Sequence, residues 1–227
     1  MWTYFTSVYF MQNRDTEGLL NQDDFNDFLG RSIGFIWTYA ITNPGVNALR
    51  GPVYNEMINI VSDNSITFEN YKFDRKEVKQ AFNNYKFNNQ RPITKSMLAW
   101  WAFMNPQQDL LNIETKFDIE HIFPKNRQNK GEENTLVNIE NLESLGNKSL
   151  LEKKINIRAS DYRFKDKTKY YKGYINNRDQ KKEGTDIAEL LNLANTLDDF
   201  VEVDIESRKE TIINEFVDYL EAYKLLK

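Results

Sequence analysis

His121 is the only histidine of the 227-residue chain. It stands in the string Asp118-Ile119-Glu120-His121-Ile122-Phe123-Pro124, with two carboxylates just before it. A neutral imidazole takes a proton near neutral pH, and carboxylate oxygens hold hard divalent cations. Hydrolysis of a phosphodiester needs both parts. A base must deprotonate water, and a cation must stabilise charge on the phosphate and the leaving oxygen. The chain has no cysteine, so disulfides, thiolate-ligated zinc and a cysteine nucleophile are excluded. Adjacent residues of a regular strand face opposite sides, so Glu120 and His121 share a site only where the strand bends or ends. Asp118, on the same face as Glu120, is the alternative acid under the same constraint.

The string Asp-Ile-Glu-His-Ile-Phe-Pro resembles the first motif of HNH, or ββα-metal, endonucleases, where an acid precedes the catalytic histidine and a proline follows three residues on. Gly146-Asn147-Lys148-Ser149-Leu150-Leu151 resembles the second motif, and Asn156 the third. A narrower likeness runs from Leu145 to Asn156, with Ser160, Phe164, Lys165, Lys167 and Tyr170 beyond it. This stretch is similar to the C-terminal nuclease half of GmrSD-like restriction proteins, which defend bacteria by cutting modified or foreign DNA. The resemblance implies His121 as general base and Glu120, or Asp118, as the metal-binding acid. It implies that Asn147 orients the imidazole through a side-chain hydrogen bond and that Asn156 is a second metal ligand. An amide at that third position points to a hard cation held largely through water and phosphate oxygens: Mg²⁺ first, with Mn²⁺ or Ni²⁺ as alternatives. The same resemblance implies DNA as substrate and an N-terminal ParB-like nucleotidase domain or subunit. The sequence holds no Walker-type glycine loop. The chain is therefore expected to be the C-terminal piece of a longer protein, or one subunit of a split system.

Charge is segregated. Between Asn147 and Lys182 there are twelve Lys or Arg and four Asp or Glu, a local balance of +8 inside a chain of net charge −4. Such a stretch binds phosphates without sequence preference and with strong salt dependence. Lys148, Arg158, Arg163, Lys165 and Lys167 are the expected DNA contacts. Tyr162, Tyr170, Tyr171 and Tyr174 interleave with the cations. They either stack on bases or anchor a helix to the core.

The elements that must position these residues are mostly helical. Asp23 or Asp24 is expected to cap a helix ended by Asn43-Pro44-Gly45, and Asp74 another bearing Val78, Phe82 and Tyr85. Tyr54, Met57, Ile58 and Val61 form a stripe at helical spacing, as do Met97, Leu98 and Trp101. Phe117 to Phe123 suits a short strand stopped by Pro124. A polar loop from Lys125 to Asn134, a Gly146-Asn147 turn or bulge and a helix over Glu152 to Ser160 follow. Ile187, Leu190, Leu191 and Ala194 make a further stripe. Ser207 is expected to cap a last helix carrying Ile212, Ile213, Phe216, Leu220 and Tyr223. The fold class expected is mainly α with a small ββα-metal (HNH) insertion, an α+β protein. Its expected domains are a helical domain over 1–112, a nuclease region over 113–182, and C-terminal helices over 183–227 packing on the helical domain.

Hydrophobic residues make up 40% and charged residues 28%, the balance of a soluble globular protein. The apolar run Ala99 to Met104 is far shorter than the ~20 residues a bilayer needs, and the stretch Met1 to Phe5 lacks the basic start and cleavage site expected of a signal peptide. No membrane partner and a cytoplasmic location are expected. The competing reading is a non-catalytic DNA-binding or partner-docking helical module with a degenerate HNH motif.

Overall fold

The computed structural model describes residues 2–45, 47–129 and 135–227. The chain forms two units, residues 1–85 with 213–227, and residues 86–212.

In the first unit, α1 (Trp2–Asn13), α2 (Gln22–Thr42), α3 (Arg50–Val61) and α4 (Arg75–Asn84) surround an aromatic core of Phe5, Phe28, Phe35, Phe68 and Phe82. Asp74 caps α4 as expected, its carboxylate accepting from the Lys76 and Glu77 amides. The cap of α2 is Asn21 rather than either aspartate; Asp23 and Asp24 donate their backbone N–H groups to it and lie in the first turn. The stripe on α3 is placed otherwise than the spacing suggests. Tyr54, Ile58 and Val61 are exposed, and Val53, Glu56 and Ile60 face inward. The helix carries two apolar faces, and its packing on α1 decides which is covered.

The second unit comprises α5 (Pro92–Met104), β1 (Phe117–His121), α6 (Lys125–Asn129), β2 (Lys148–Glu152), α7 (Lys153–Ala159), α8 (Phe164–Lys172), β3 (Tyr174–Ile175), β4 (Lys181–Lys182), α9 (Ala188–Thr196) and the first half of α10 (Glu202–Ala222). Two 3₁₀ turns, Ile139–Glu143 and Leu145–Asn147, lead into β2. Strands β1 and β2 pair antiparallel, with Glu120 opposite Ser149 and His121 opposite Lys148. Helix α7 packs on both strands, so β1, β2 and α7 make a ββα unit inside a mainly helical chain. The expected polar loop begins instead as α6, and residues 130–134 lie outside the described residues. Within this unit α5 packs on β2 and α9 packs on α8.

Ser207 lies within α10, which begins at Glu202. Its start is held by Asp204, whose carboxylate accepts from the Val201 amide at 2.8 Å. Four residues on, buried Arg208 donates to the carbonyls of Leu145, Gly146 and Lys148 and forms a two-nitrogen pair with Glu189. One guanidinium thus ties the turn before β2 to α10 and α9. Gly146 is needed for this approach and not for an unusual backbone angle: it is absent from the positive-φ glycines. A Cβ there would meet the Ile205 carbonyl oxygen at 2.0 Å and the Lys209 Cβ at 2.9 Å. Since the first contact is backbone, Gly146→Ala is expected to destabilise the chain by about 1–3 kcal/mol, the usual cost of overpacking. Urea unfolding of the variant should show a lower midpoint with an unchanged slope.

Candidate active site around His121

Strand β1 ends at His121, and this ending lets neighbouring residues meet. Glu120 and His121 line one pocket of about 350 Å³ together with Asn89, Ile119, Lys125, Asn156, Ser160, Asp161 and Lys167. Asn156 reaches it from α7 and Lys167 from α8. Asp118, two residues back along the strand, is not among the lining residues.

Asn147 closes the geometry, but not as expected. Its side-chain oxygen accepts from the Phe123 amide at 2.7 Å, and its nitrogen donates to the carbonyls of Phe123 and Leu142 at 3.1 and 3.2 Å. Its own carbonyl accepts from the Ile122 amide at 2.9 Å. The side chain therefore binds backbone and not the imidazole. It fixes the segment just past His121 to the turn before β2, and it is fully buried with its amide satisfied on both ends.

The imidazole instead faces residues to which the motif reading assigned no such role. Lys148 lies opposite His121 in the ladder, and its Nζ comes 3.0 Å from the imidazole Nε2. The same ammonium donates to Asn89 Oδ1 at 2.6 Å and Glu143 Oε2 at 2.7 Å. Three donors meet three acceptors. An ammonium has no lone pair, so Nε2 is the acceptor, and the imidazole is neutral with its proton on Nδ1. Glu143 Oε1 pairs with Lys125 at 2.6 Å and lies 3.6 Å from Nε2, too far for a hydrogen bond.

Electrostatics favour the neutral ring. Burial lowers the His121 imidazole below its ordinary 6.5; Glu143 opposes that shift, and Lys148 and Lys125 add to it. Burial works against the charged form of Glu143, but the Lys125 and Lys148 ammonium groups that donate to it prevail and hold it well below the usual carboxylate range. Burial also lowers Lys148, against the pull of Glu143.

Glu120 belongs to a second, deeper pair. Its Oε1 accepts from Lys167 Nζ and from the Tyr171 hydroxyl, each at 2.6 Å. Lys167 also donates to the His121 carbonyl at 2.6 Å. Burial, and then Glu120 beside it, push the Tyr171 phenol well above its ordinary value, so it remains a donor. Lys148 and Lys167, both expected on a DNA-facing surface, are thus interior residues, their side chains 0% and 1% exposed; Lys167 lines the pocket, and Lys148 lies behind the imidazole. Arg158, Arg163 and Lys165 stay at least partly exposed. Among the described residues no group of three or more His, Asp or Glu side chains could hold a metal ion.

The model of one family, the C-terminal domain of GmrSD restriction endonucleases, matches residues 68–215. The chain belongs to that family. No curated protein matches the chain, and no solved structure does. The matched stretch holds every residue of the pocket, and family membership makes this a restriction-endonuclease type of nuclease domain. Among the described residues no helix is long and apolar enough to cross a membrane.

Glu143, Lys125, Asn89 and Asp161 were missed in the motifs. Glu143 and Lys125 had a weak signal, as charged residues just before Gly146-Asn147 and just after Pro124. Asn89 and Asp161 had none, since only folding brings them near. Replacing Lys148 with Met removes the nearest cation, so the His121 pKa should rise toward 6.5. An NMR titration of the single imidazole reads this directly, and an unchanged value would mean that Lys148 does not act on the ring.

Proposed function

We propose that this chain is the catalytic half of an HNH-type, metal-dependent endonuclease that hydrolyses DNA phosphodiester bonds in a bacterial anti-phage restriction system. The observation that carries this reading is a neutral, mostly buried imidazole at the end of β1, in one pocket with Glu120, Asp161 and Asn156. Membership of the GmrSD family supports it independently.

In this reading His121 Nε2 takes the proton from the attacking water. The neutral imidazole is the form this requires, and its lowered pKa keeps that form in place down to pH values below 6.5. Lys148 must release Nε2 for the transfer, and an incoming phosphate is a suitable competitor for the ammonium. Lys125, half exposed beside Glu143, is the second cation placed to meet that phosphate. Asn147 acts at a distance, by holding the backbone that carries the ring. A divalent cation suits the donor chemistry of the wall: the Glu120 and Asp161 carboxylates and the Asn156 amide oxygen are hard ligands, and water would complete the set for Mg²⁺, Mn²⁺ or Ni²⁺. When bound, such an ion supplies charge stabilisation at the phosphate and the leaving oxygen. The ParB-like nucleotidase domain or subunit with which such a nuclease half works is part of the same proposal, as is a cytoplasmic setting.

A second reading, an inactive DNA-binding module, is favoured by one observation. Nε2 and Glu120 Oε1 each already contact a lysine ammonium, at 3.0 and 2.6 Å. Nicking of supercoiled plasmid separates the two. With Mg²⁺ or Mn²⁺ the wild type is expected to nick, EDTA to stop it, and His121→Ala to lower the rate by about 10²–10⁴-fold while the fold persists. The rate should rise with pH through a value below 6.5 and then level off. Absence of nicking with every divalent ion would support the module reading, and a His121→Ala variant cutting at the wild-type rate would remove the imidazole from the chemistry.

A further inference from the structure

Three tyrosines that the pocket does not use form a strip on the second unit. Tyr162 and Tyr170 are nearly parallel, 14° apart with ring centroids at 6.1 Å. Tyr170 meets Tyr174 edge-on at 5.3 Å. Tyr162 is 50% exposed, and Tyr170 and Tyr174 are partly exposed. The fourth tyrosine of this region, Tyr171, is buried against Glu120 and plays no part. Cations sit on the strip: Lys169 Nζ lies 4.8 Å from the Tyr170 ring centre and the Arg158 guanidinium 5.8 Å from that of Tyr174.

The strip leads from one concavity to another. At one end Ser160 and Asp161, directly before Tyr162, line the His121 pocket. At the other, Arg158 lines a groove of about 870 Å³ that also presents Lys116, Lys153, Lys154 and Lys172. Acidic Glu114, Glu152, Glu183 and Asp186 line the same groove, but Glu152 is buried and bonded to Thr185 and to the Asp186 amide.

We propose that Tyr162, Tyr170 and Tyr174, with Arg158 and Lys169, form a binding surface for an unpaired strand of DNA leading into the His121 pocket. The assignment deepens the nuclease reading and rests on it for the direction of the strand. Lysines and arginines alone would meet the phosphates of any nucleic acid. Ring faces gain little from a duplex, whose bases are stacked on each other, whereas unpaired bases stack on exposed aromatic side chains. Rings and cations alternating beside a nuclease pocket therefore favour an unpaired strand over a closed duplex.

The test is fluorescence anisotropy with labelled dT20, a 20-base-pair duplex and rU20, on the whole chain in EDTA so that no cutting intervenes. Wild type is expected to bind dT20 more tightly than the duplex. Tyr162→Ala and Tyr170→Ala should each weaken dT20 binding by roughly 5- to 150-fold, the range for one stacked base. Tyr162→Phe, which keeps the ring, should bind as wild type. Duplex binding should change little in any of them. Equal loss for duplex and dT20, no loss in either alanine variant, or tighter binding of rU20 than of dT20 would overturn the proposal. Because EDTA silences cleavage, these outcomes are independent of plasmid nicking, whose failure would strike the nuclease reading instead.

Discussion

The side-chain amide of Asn147 is the contact on which the pocket depends. It bonds both backbone groups of Phe123 and the carbonyl of Leu142. The chain leaves β1 at His121 and enters β2 at Lys148, and Asn147 ties these two points together. Their junction sets the register that faces His121 with Lys148. A buried amide satisfied on both ends has one good orientation, so the junction is rigid as well as close. Arg208 and Gly146 secure the other side of the same turn. The guanidinium takes three carbonyls, and the missing Cβ lets the backbone of α10 come into contact.

Around that junction the charges form two linked sets. Glu143 lies between Lys125 and Lys148, and Glu120 pairs with Lys167. Bringing such pairs out of water is costly, and their mutual attraction seldom leaves much net stability. Lys148 and Lys125 disfavour an imidazolium, and Glu143 opposes them.

The basic stretch from Asn147 to Lys182 also divides by role once it is folded. Lys148 and Lys167 turn inward, Lys148 onto the imidazole and Lys167 into the pocket wall. Arg158, Lys169 and Lys172 remain beside the tyrosine strip and the groove. Helix α7 produces the division: Asn156 is directed to the pocket, and Lys153, Lys154 and Arg158 line the groove.

By itself the sequence determined part of the local structure. The β-branched and aromatic string before Pro124 and the Asp74 cap are short-range information, and each lies where that information predicts; of the motif residues, His121 and Asn156 line one pocket and Asn147 does not. It also determined the family. What it could not decide was which way a side chain turns when two directions are locally equivalent. Tyr54, Ile58 and Val61 have helical spacing and yet face water, since α3 has a second apolar face for α1. Lys148 and Lys167 look like surface cations until carboxylates from distant segments take them in. Asn147 looks like a partner of the imidazole until the backbone of Phe123 comes within its reach. Only tertiary structure decides these, because a buried charge or amide goes where long-range contacts can satisfy it, and local spacing holds no record of those contacts.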